Sequence, residues 1–366
     1  MSEAALLDRP EANVTEAEHV DVLIVGAGIF GVSAGYHLQH SMPGTSFMML
    51  EAQKSYGGTW YTHKYPGIRS DSDLYTFGFR FKPWTGPPIA TAEEIRRYMA
   101  EVIAENGLER RIRYQHKVLK ASWSSETKRW SIEGIRTDTG ETVRFTANFL
   151  WMCQGYYRHE DGFTPDWKGT EDFEGEIVHS MHWKEGTDLT GTQVVVIERF
   201  VPDGIELQSG EVLKADVVVA ATGFHLSVLG DIEFTIDGVP LAFGETVTYR
   251  GMMFTGVPNL VWVFGYLRAS WTLRADLVAD FIVRLLGHMK AQGVEMVVPA
   301  LRPEDADMAL EPWIAPDNFN PGYVNRGIHL LPKCGSKTEW RHTHDYWEDN
   351  HTIPAADLDD GNLVYR

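Results

Sequence analysis

The chain has 366 residues, of which 43 % are apolar and 12 % aromatic; it can bury a large α/β core, and a disordered chain is excluded. With 51 acidic against 33 basic residues its net charge is −18, and the lack of any basic stripe argues against a nucleic-acid partner. The two cysteines, Cys153 and Cys334, cannot build a disulfide framework. No apolar run reaches the ~20 residues needed to span a bilayer. The acidic start lacks a signal-peptide core, so a soluble, reducing, cytoplasmic setting is expected.

After a leader expected to be flexible (1–19), "VDVLIVGAGIFGVSAGYHL" reads as a strand, Val22–Val25, a glycine turn, and a helix. Gly26, Gly28 and Gly31 have the spacing G-x-G-x-x-G. The glycines permit a tight turn, close backbone approach to a pyrophosphate, and close helix–strand packing. The new helix offers free N–H groups and a positive dipole end to phosphate. A second apolar strand, "FMMLE", ends at Glu51, 25 residues after Gly26, where a ribose hydroxyl partner is expected. The motif indicates a dinucleotide and leaves open whether that is FAD or a nicotinamide nucleotide.

Next comes "KSYGGTWYTHKYPGIRSDSDLYTFGFRFKPW". Gly57 and Gly58 allow close approach, and Trp60, Tyr61, Tyr65, Tyr75 and Phe77 supply flat apolar area able to wall a large ring or fill a core. "TAEEIRRYMAEVIAENGL" predicts a helix with a Thr91–Glu94 capping box, an Ile95/Tyr98/Met99/Val102/Ile103 stripe and Gly107 just past its end. A hairpin is expected to turn near Asp138–Gly140, followed by "NFLWMCQGYY", in which Cys153 reads as core.

"FEGEIVHSMHWK" carries Phe173, Gly175, His179 and Trp183; His179 alone reads as a structural histidine. The run Val194–Ile197 resembles the first strand of another dinucleotide unit, yet no glycine turn follows it. Only 23 residues, 198–220, precede Ala221-Thr222-Gly223, and a hairpin at Ser209–Gly210 takes up most of them. A βαβ unit needs roughly 30 residues or more and a domain ~50–250. Farther on, Ser270 is expected to cap a helix with Leu273, Leu277, Phe281 and Leu285 inward.

"GGTW" and "YPGIRSDSDLYTF" resemble class B flavoprotein monooxygenases, especially Baeyer–Villiger monooxygenases of the ethionamide-activating subgroup. Phe173, Gly175, His179 and Trp183 match that family's pattern F-x-G-x-x-x-H-x-x-x-W, with Lys184 in place of the usual proline or aspartate. The resemblance extends from about Val20 to Trp340. It implies FAD at Gly26, Gly28, Gly31 and Glu51, with Gly58, Thr59, Trp60, Asp71 and Tyr75 along the flavin. Val118, Gln154, Gly223, Trp271 and Leu273 are also assigned to the cofactor's surroundings. Trp271 reads equally as helix-start packing. Asp71 and Arg69 are the catalytic candidates, with a plain ion pair as the alternative. The histidine motif is implied to couple the flavin and NADPH domains.

The expected fold is α/β: a Rossmann-like FAD-binding domain, a parallel sheet with helices and inserted hairpins, discontinuous in sequence (20–185 and 205–290). A truncated junction (186–204) stands where the NADPH domain is missing, and a helical or irregular C-terminal extension (291–366) follows. NADP(H) is expected for the family, but its binding domain is absent here. The expected activity is oxygenation of an apolar ketone or thioether by molecular oxygen through a C4a-peroxyflavin, given an external reductant or added peroxide. Otherwise reducing equivalents end in hydrogen peroxide; an idle FAD-binding scaffold is the alternative. The face left by the missing block is an expected self-association surface.

Overall fold

The computed structural model describes residues 17–184, 186, 199–206, 210–315 and 321–366. Residues 1–16 of the leader, the run Val194–Ile197 and the turn residue Ser209 lie outside the described residues.

In chain order the first elements are β1 (Glu18–Val25), α1 (Ile29–Ser41), β2 (Phe47–Leu50), and the short helices α2 (Thr59–Thr62) and α3 (Leu74–Phe77). There follow α4 (Ala92–Glu105), β3 (Ile112–Arg113), β4 (His116–Ser124), β5 (Arg129–Arg136) and β6 (Thr142–Met152). β7 (Tyr157–Gly162) and β8 (Glu176–His179) lead to the junction. The first strand thus begins at Glu18, earlier than the apolar run alone marks, because its N-terminal half pairs with β6 from Glu18↔Phe145 onward.

The parallel core of the sheet runs β3–β2–β1–β6, with the strand Leu260–Trp262 added on the far side of β6. β1 opens the sheet and β6 adjoins it on the side away from β2, so the strand order reverses between β1 and β6. A ligand crevice is expected outside the strand ends at such a point. β4, β5 and the first half of β6 form the antiparallel hairpin layer, turning at Thr137–Glu141 as expected.

Strand residues alternate between faces, and here both faces are buried. Val22, Ile24, Phe47, Met49, Phe149 and Trp151 join α1 and α4 in one core. Leu23, Val25, Met48, Leu50, Leu150 and Met152 join Trp123 and Trp130 in the other. This explains the near-continuous apolar runs "VLIV" and "FMML": a parallel strand covered on both sides has no polar face. Each fully buried large apolar side chain is worth about 1.5–3 kcal/mol, so these two cores dominate the fold. α4 has the full Thr91–Glu94 capping box, and Gly107 adopts a left-handed conformation just beyond it.

α5 (Trp271–Gln292) packs beside α1 on the first face. Its inward face is broader than expected. It includes Arg274 and Asp276, while Leu273 is only half-buried. Ser270 stands at the N-cap without a side-chain cap; its hydroxyl pairs instead with Thr272 Oγ1 at 3.1 Å. The buried Arg274 guanidinium bonds Asp349 in α7 (Tyr346–Thr352), after the six-residue α6 (Gly322–Gly327). Asp349 also accepts from Tyr266 Oη (2.8 Å) and Thr343 Oγ1 (2.7 Å). Trp340, Ile353 and Leu363 lie in the first core, and Trp313 and Val324 in the second. The C-terminal segment is therefore packed into both cores.

Around the junction, Phe200, Ile205, Ala215 and Val218 make a small separate cluster with Trp167, Phe173 and Ile177. The strands Gly204–Glu206 and Val212–Lys214 form the expected hairpin. The strand Val217–Ala220 then pairs in parallel with β8.

Candidate functional site

The glycine turn sits where β1 gives way to α1. Gly26 has φ +101°, and a Cβ there would lie 2.7 Å from the Cys153 carbonyl oxygen at the end of β6. A Cβ on Gly31 would lie 1.9 Å from the Gly26 carbonyl oxygen, so this glycine is demanded by helix–turn packing. Gly28 differs. A Cβ there would meet only the backbone of Gly58, the nearest atom at 3.6 Å. Two glycine turns thus face each other, tied by the Gly57 N–H donating to the Ala27 carbonyl (3.1 Å).

Glu51 closes one end of this cradle. Its Oε2 accepts from the Ala27 N–H (2.8 Å) and its Oε1 from the Gln53 N–H (2.8 Å). A carboxylate has about four lone-pair sites, so both oxygens keep capacity for a ligand hydroxyl. Burial raises the Glu51 carboxyl above its ordinary range despite the backbone donors that act against it. Gln154, just past β6, has both amide atoms buried and without a partner among the described residues. Its Cα lies 3.0 Å from where a Gly26 Cβ would stand, which puts an unused donor and acceptor at the crevice. Val118 is buried in β4, two residues after His116, whose N–H donates to the Glu51 carbonyl (2.8 Å).

The other end of the cradle is aromatic. Trp271 in the first turn of α5 stacks on Phe30 of α1, centroids 5.9 Å apart, and on Tyr156 at 4.4 Å. Trp60 meets Phe77 edge-on at 5.9 Å. Thr59 opens α2 directly after Gly58. Arg96, which the sequence did not single out, holds this loop from α4: its guanidinium lies over Tyr61 and donates to Ser55 Oγ (3.3 Å).

Asp71, Arg69 and Tyr75 are exposed, Tyr75 by 60 %. Arg69 donates to the Gly67 carbonyl (2.9 Å), and Asp71 accepts from Ser72 (3.2 Å). The alternative of an Arg69–Asp71 ion pair is therefore not what the structure forms. Gly223 has φ +96°, and its carbonyl accepts from the Phe163 N–H (3.1 Å), tying the returning strand to β7. Phe224 beside it packs on His63 at 5.5 Å and on Tyr157 at 4.3 Å. His63 is buried with neither ring nitrogen partnered among the described residues. Burial first, then the neighbouring His159 and His179, lower its pKa to about 4. His179 is buried at the end of β8, its Nδ1 accepting from the Met181 N–H (3.2 Å). Its ring lies within 2.6 Å of the Cβ position on Gly162. Phe173 packs in the junction cluster and Trp183 is buried, while His179 lies near enough to His63 to act on its charge.

Residues 24–87 match the family model described as an NAD(P)-binding Rossmann-like domain. The chain is 33 % identical to the FAD-containing monooxygenase EthA of Mycolicibacterium smegmatis, covering 95 % of this chain and 97 % of that protein. The chain belongs to the FAD-containing monooxygenase family. The probable FAD-binding monooxygenase AlmA of Acinetobacter baylyi is 29 % identical over 95 % of this chain and 96 % of its own. Two solved structures share the monooxygenase fold at a TM-score of 0.73. One is an oxidized steroid monooxygenase bound to NADP (18 % identical, 95 % of this chain and 99 % of that one). The other is a cyclohexanone monooxygenase from Rhodococcus sp. Phi1 bound to NADP+ (16 % identical, 96 % and 100 %). The alignment with the Mycolicibacterium monooxygenase spans 485 positions against the 366 residues here, so that relative carries residues with no counterpart in this chain. Among the described residues of this monooxygenase, no helix is long and apolar enough to cross a membrane, and Cys153 and Cys334 are both buried and free.

Proposed function

We propose that this chain binds FAD in the Gly26–Gly28/Gly57–Gly58 cradle and is a Baeyer–Villiger-type oxidoreductase lacking a built-in NADPH site. The observation that carries the reading is the open backbone at Gly28 facing Gly58, beside a buried Glu51 with acceptor capacity to spare. The unpartnered Gln154 amide supports it. When bound, flavin supplies the redox and oxygen chemistry; the protein supplies orientation, charge and exclusion of water.

In this reading the N–H groups at the start of α1 hold the pyrophosphate and Glu51 holds a ribose hydroxyl. Trp60 and Trp271 wall the ring, with Thr59, Tyr75, Val118, Gly223 and Leu273 in its wider surroundings. Asp71, exposed and free of ion pairing with Arg69, and Arg69 remain the catalytic candidates. The missing block belongs between Ile197 and Ala221. The short hairpin there supports that position, and the alignment longer than the chain supports a missing block without locating it. Without a pre-positioned hydride donor the proximity advantage is lost, and effective molarities for aligned groups reach about 10⁵ M or more. Reduction by free NADPH is therefore slow. With reducing equivalents supplied otherwise, transfer of one oxygen atom of O2 to an apolar ketone or thioether, the other atom leaving as water, is inefficient, and most of the O2 consumed ends as hydrogen peroxide. The exposed junction, where Val212 is 44 % accessible, is the surface through which copies would associate.

The reading is tested by titrating FAD-stripped chain with FAD and following flavin fluorescence. A one-to-one complex, weakened about tenfold or more by Glu51→Ala, is expected. Equal affinity in both chains would contradict it.

A further inference from the structure

Beyond the cradle, three tyrosines from two separate segments bring their hydroxyls together. Tyr156 Oη donates to Tyr157 Oη at 2.6 Å, and Tyr157 Oη donates to Tyr323 Oη in α6 at 3.4 Å. Their rings are packed as a group: Tyr157 and Tyr323 lie 5.3 Å apart edge-to-face, and Tyr156 and Tyr323 lie 6.2 Å apart. Tyr156 is also the ring stacked on Trp271, which sets the chain of phenols at the aromatic end of the cradle.

Proton counting gives the chain a direction and a remainder. Three phenols carry three protons, and the two bonds between them use two. The Tyr156 hydroxyl also lies within hydrogen-bond reach of Tyr323, and the half-buried Tyr323 hydroxyl is the donor in none of these bonds among the described residues. Tyr156 and Tyr157 stay protonated. Burial, then the neighbouring hydroxyls, push Tyr156 well above its ordinary value. Burial, then Tyr323 and lower in rank the negative charge of Asp71, do the same for Tyr157. The influence of Asp71 also puts the catalytic candidate near this chain. A neutral hydroxyl donor suits an uncharged acceptor oxygen.

We propose that Tyr156, Tyr157 and Tyr323 form a substrate-orienting device, in which the Tyr323 hydroxyl donates to the carbonyl oxygen of a ketone and Tyr157 holds that hydroxyl in place. The proposal rests on the flavin reading above, because the cradle fixes where the pocket lies. It assigns to this chain's own residues a hydrogen bond that decides how the substrate sits, with no bond made or broken.

The test uses full-length, FAD-loaded chain and two probes of one shape: acetophenone, which has the acceptor oxygen, and α-methylstyrene, which lacks it. Dissociation constants come from calorimetry, and the carbonyl stretch of ¹³C-labelled acetophenone is read by infrared difference spectroscopy. Tyr323→Phe keeps the ring and removes the donor. It is expected to weaken acetophenone about two- to tenfold, leave α-methylstyrene unchanged, and return the carbonyl stretch toward its unbonded value. Tyr157→Phe, a second variant that keeps Tyr323 intact, should give a smaller change of the same pattern. Equal weakening of both probes, or no change in either, overturns the proposal while FAD remains bound. A wild-type chain that retains no FAD overturns the flavin reading and the proposal with it.

Discussion

The Trp271 indole lies on the Tyr156 ring, centroids 4.4 Å apart and planes 11° from parallel. This contact joins the residue just before β7 to the start of α5. On its other side Trp271 meets Phe30 in the first turn of α1. One side chain thus fastens two halves of a domain that lie far apart in sequence. Of the two possibilities left open by the sequence, these contacts are helix-start packing; a wall of the ligand site is part of the proposed function.

Trp271→Ala removes two stacked partners, each worth about 0.5–1.5 kcal/mol beyond area burial. Thermal denaturation should report a loss of about 2 kcal/mol in the ligand-free chain. Trp271→Phe should keep most of that stability. A Trp271→Ala chain as stable as wild type would place the indole outside the packing altogether.

The cradle glycines separate folding from binding. A Cβ at Gly31 would fall 1.9 Å from a backbone oxygen, and strain of that kind costs about 1–3 kcal/mol or more. Gly31→Ala should therefore lower the melting temperature. A Cβ at Gly28 touches only Gly58 backbone at 3.6 Å. Gly28→Ala should melt near wild type yet bind FAD about tenfold or more weakly. The pair of measurements, melting and FAD titration, gives opposite orders for the two variants.

Arg274 is fully buried and bound to Asp349 in α7. Removing one partner of a buried pair costs about 3–5 kcal/mol, whereas replacing both with apolar residues is often close to neutral. Asp349→Asn or Arg274→Met should thus unfold at clearly lower denaturant concentration. The double variant Arg274→Met/Asp349→Leu should recover a large part of the loss. If the double variant is no better than the sum of the singles, the pair is not a coupled unit.

His63 makes stability depend on acid. Its folded pKa is about 4, below the ordinary 6.5, so between these values the unfolded chain binds more protons. The contribution is whole above pH 6.5 and is lost as pH falls toward 4. Each pKa unit corresponds to about 1.4 kcal/mol, giving an effect on the order of 1–3 kcal/mol. His63→Phe should flatten the stability profile across that window, measured by urea denaturation at stepped pH.

Much of the core was legible in the sequence because its signals are local. The glycine spacing, the apolar runs of β1 and β2, the capping box of α4 and the hairpin near Asp138–Gly140 each depend on neighbours a few residues away. Long-range pairing was not legible. The N-terminal extension of β1 is fixed by β6, over a hundred residues on. Arg274 and Asp276 face inward on α5 because Asp349 and His37 lie opposite, which no periodicity of α5 contains. Gln154 and Glu51 could be named from pattern and resemblance. The unused amide of the one and the backbone donors of the other emerge only from geometry. The phenol chain needs Tyr323, whose approach to Tyr156 and Tyr157 nothing in its own segment announces.

The most direct measurement is an anaerobic visible spectrum of FAD-loaded chain before and after NADPH, then after dithionite. A chain with the flavin cradle and no nicotinamide site should keep its oxidised flavin band for minutes in millimolar NADPH and bleach at once with dithionite. Rapid bleaching by NADPH at low concentration would mean that a nicotinamide site exists within these 366 residues, and the account of a flavin half cut off from its hydride donor would be wrong.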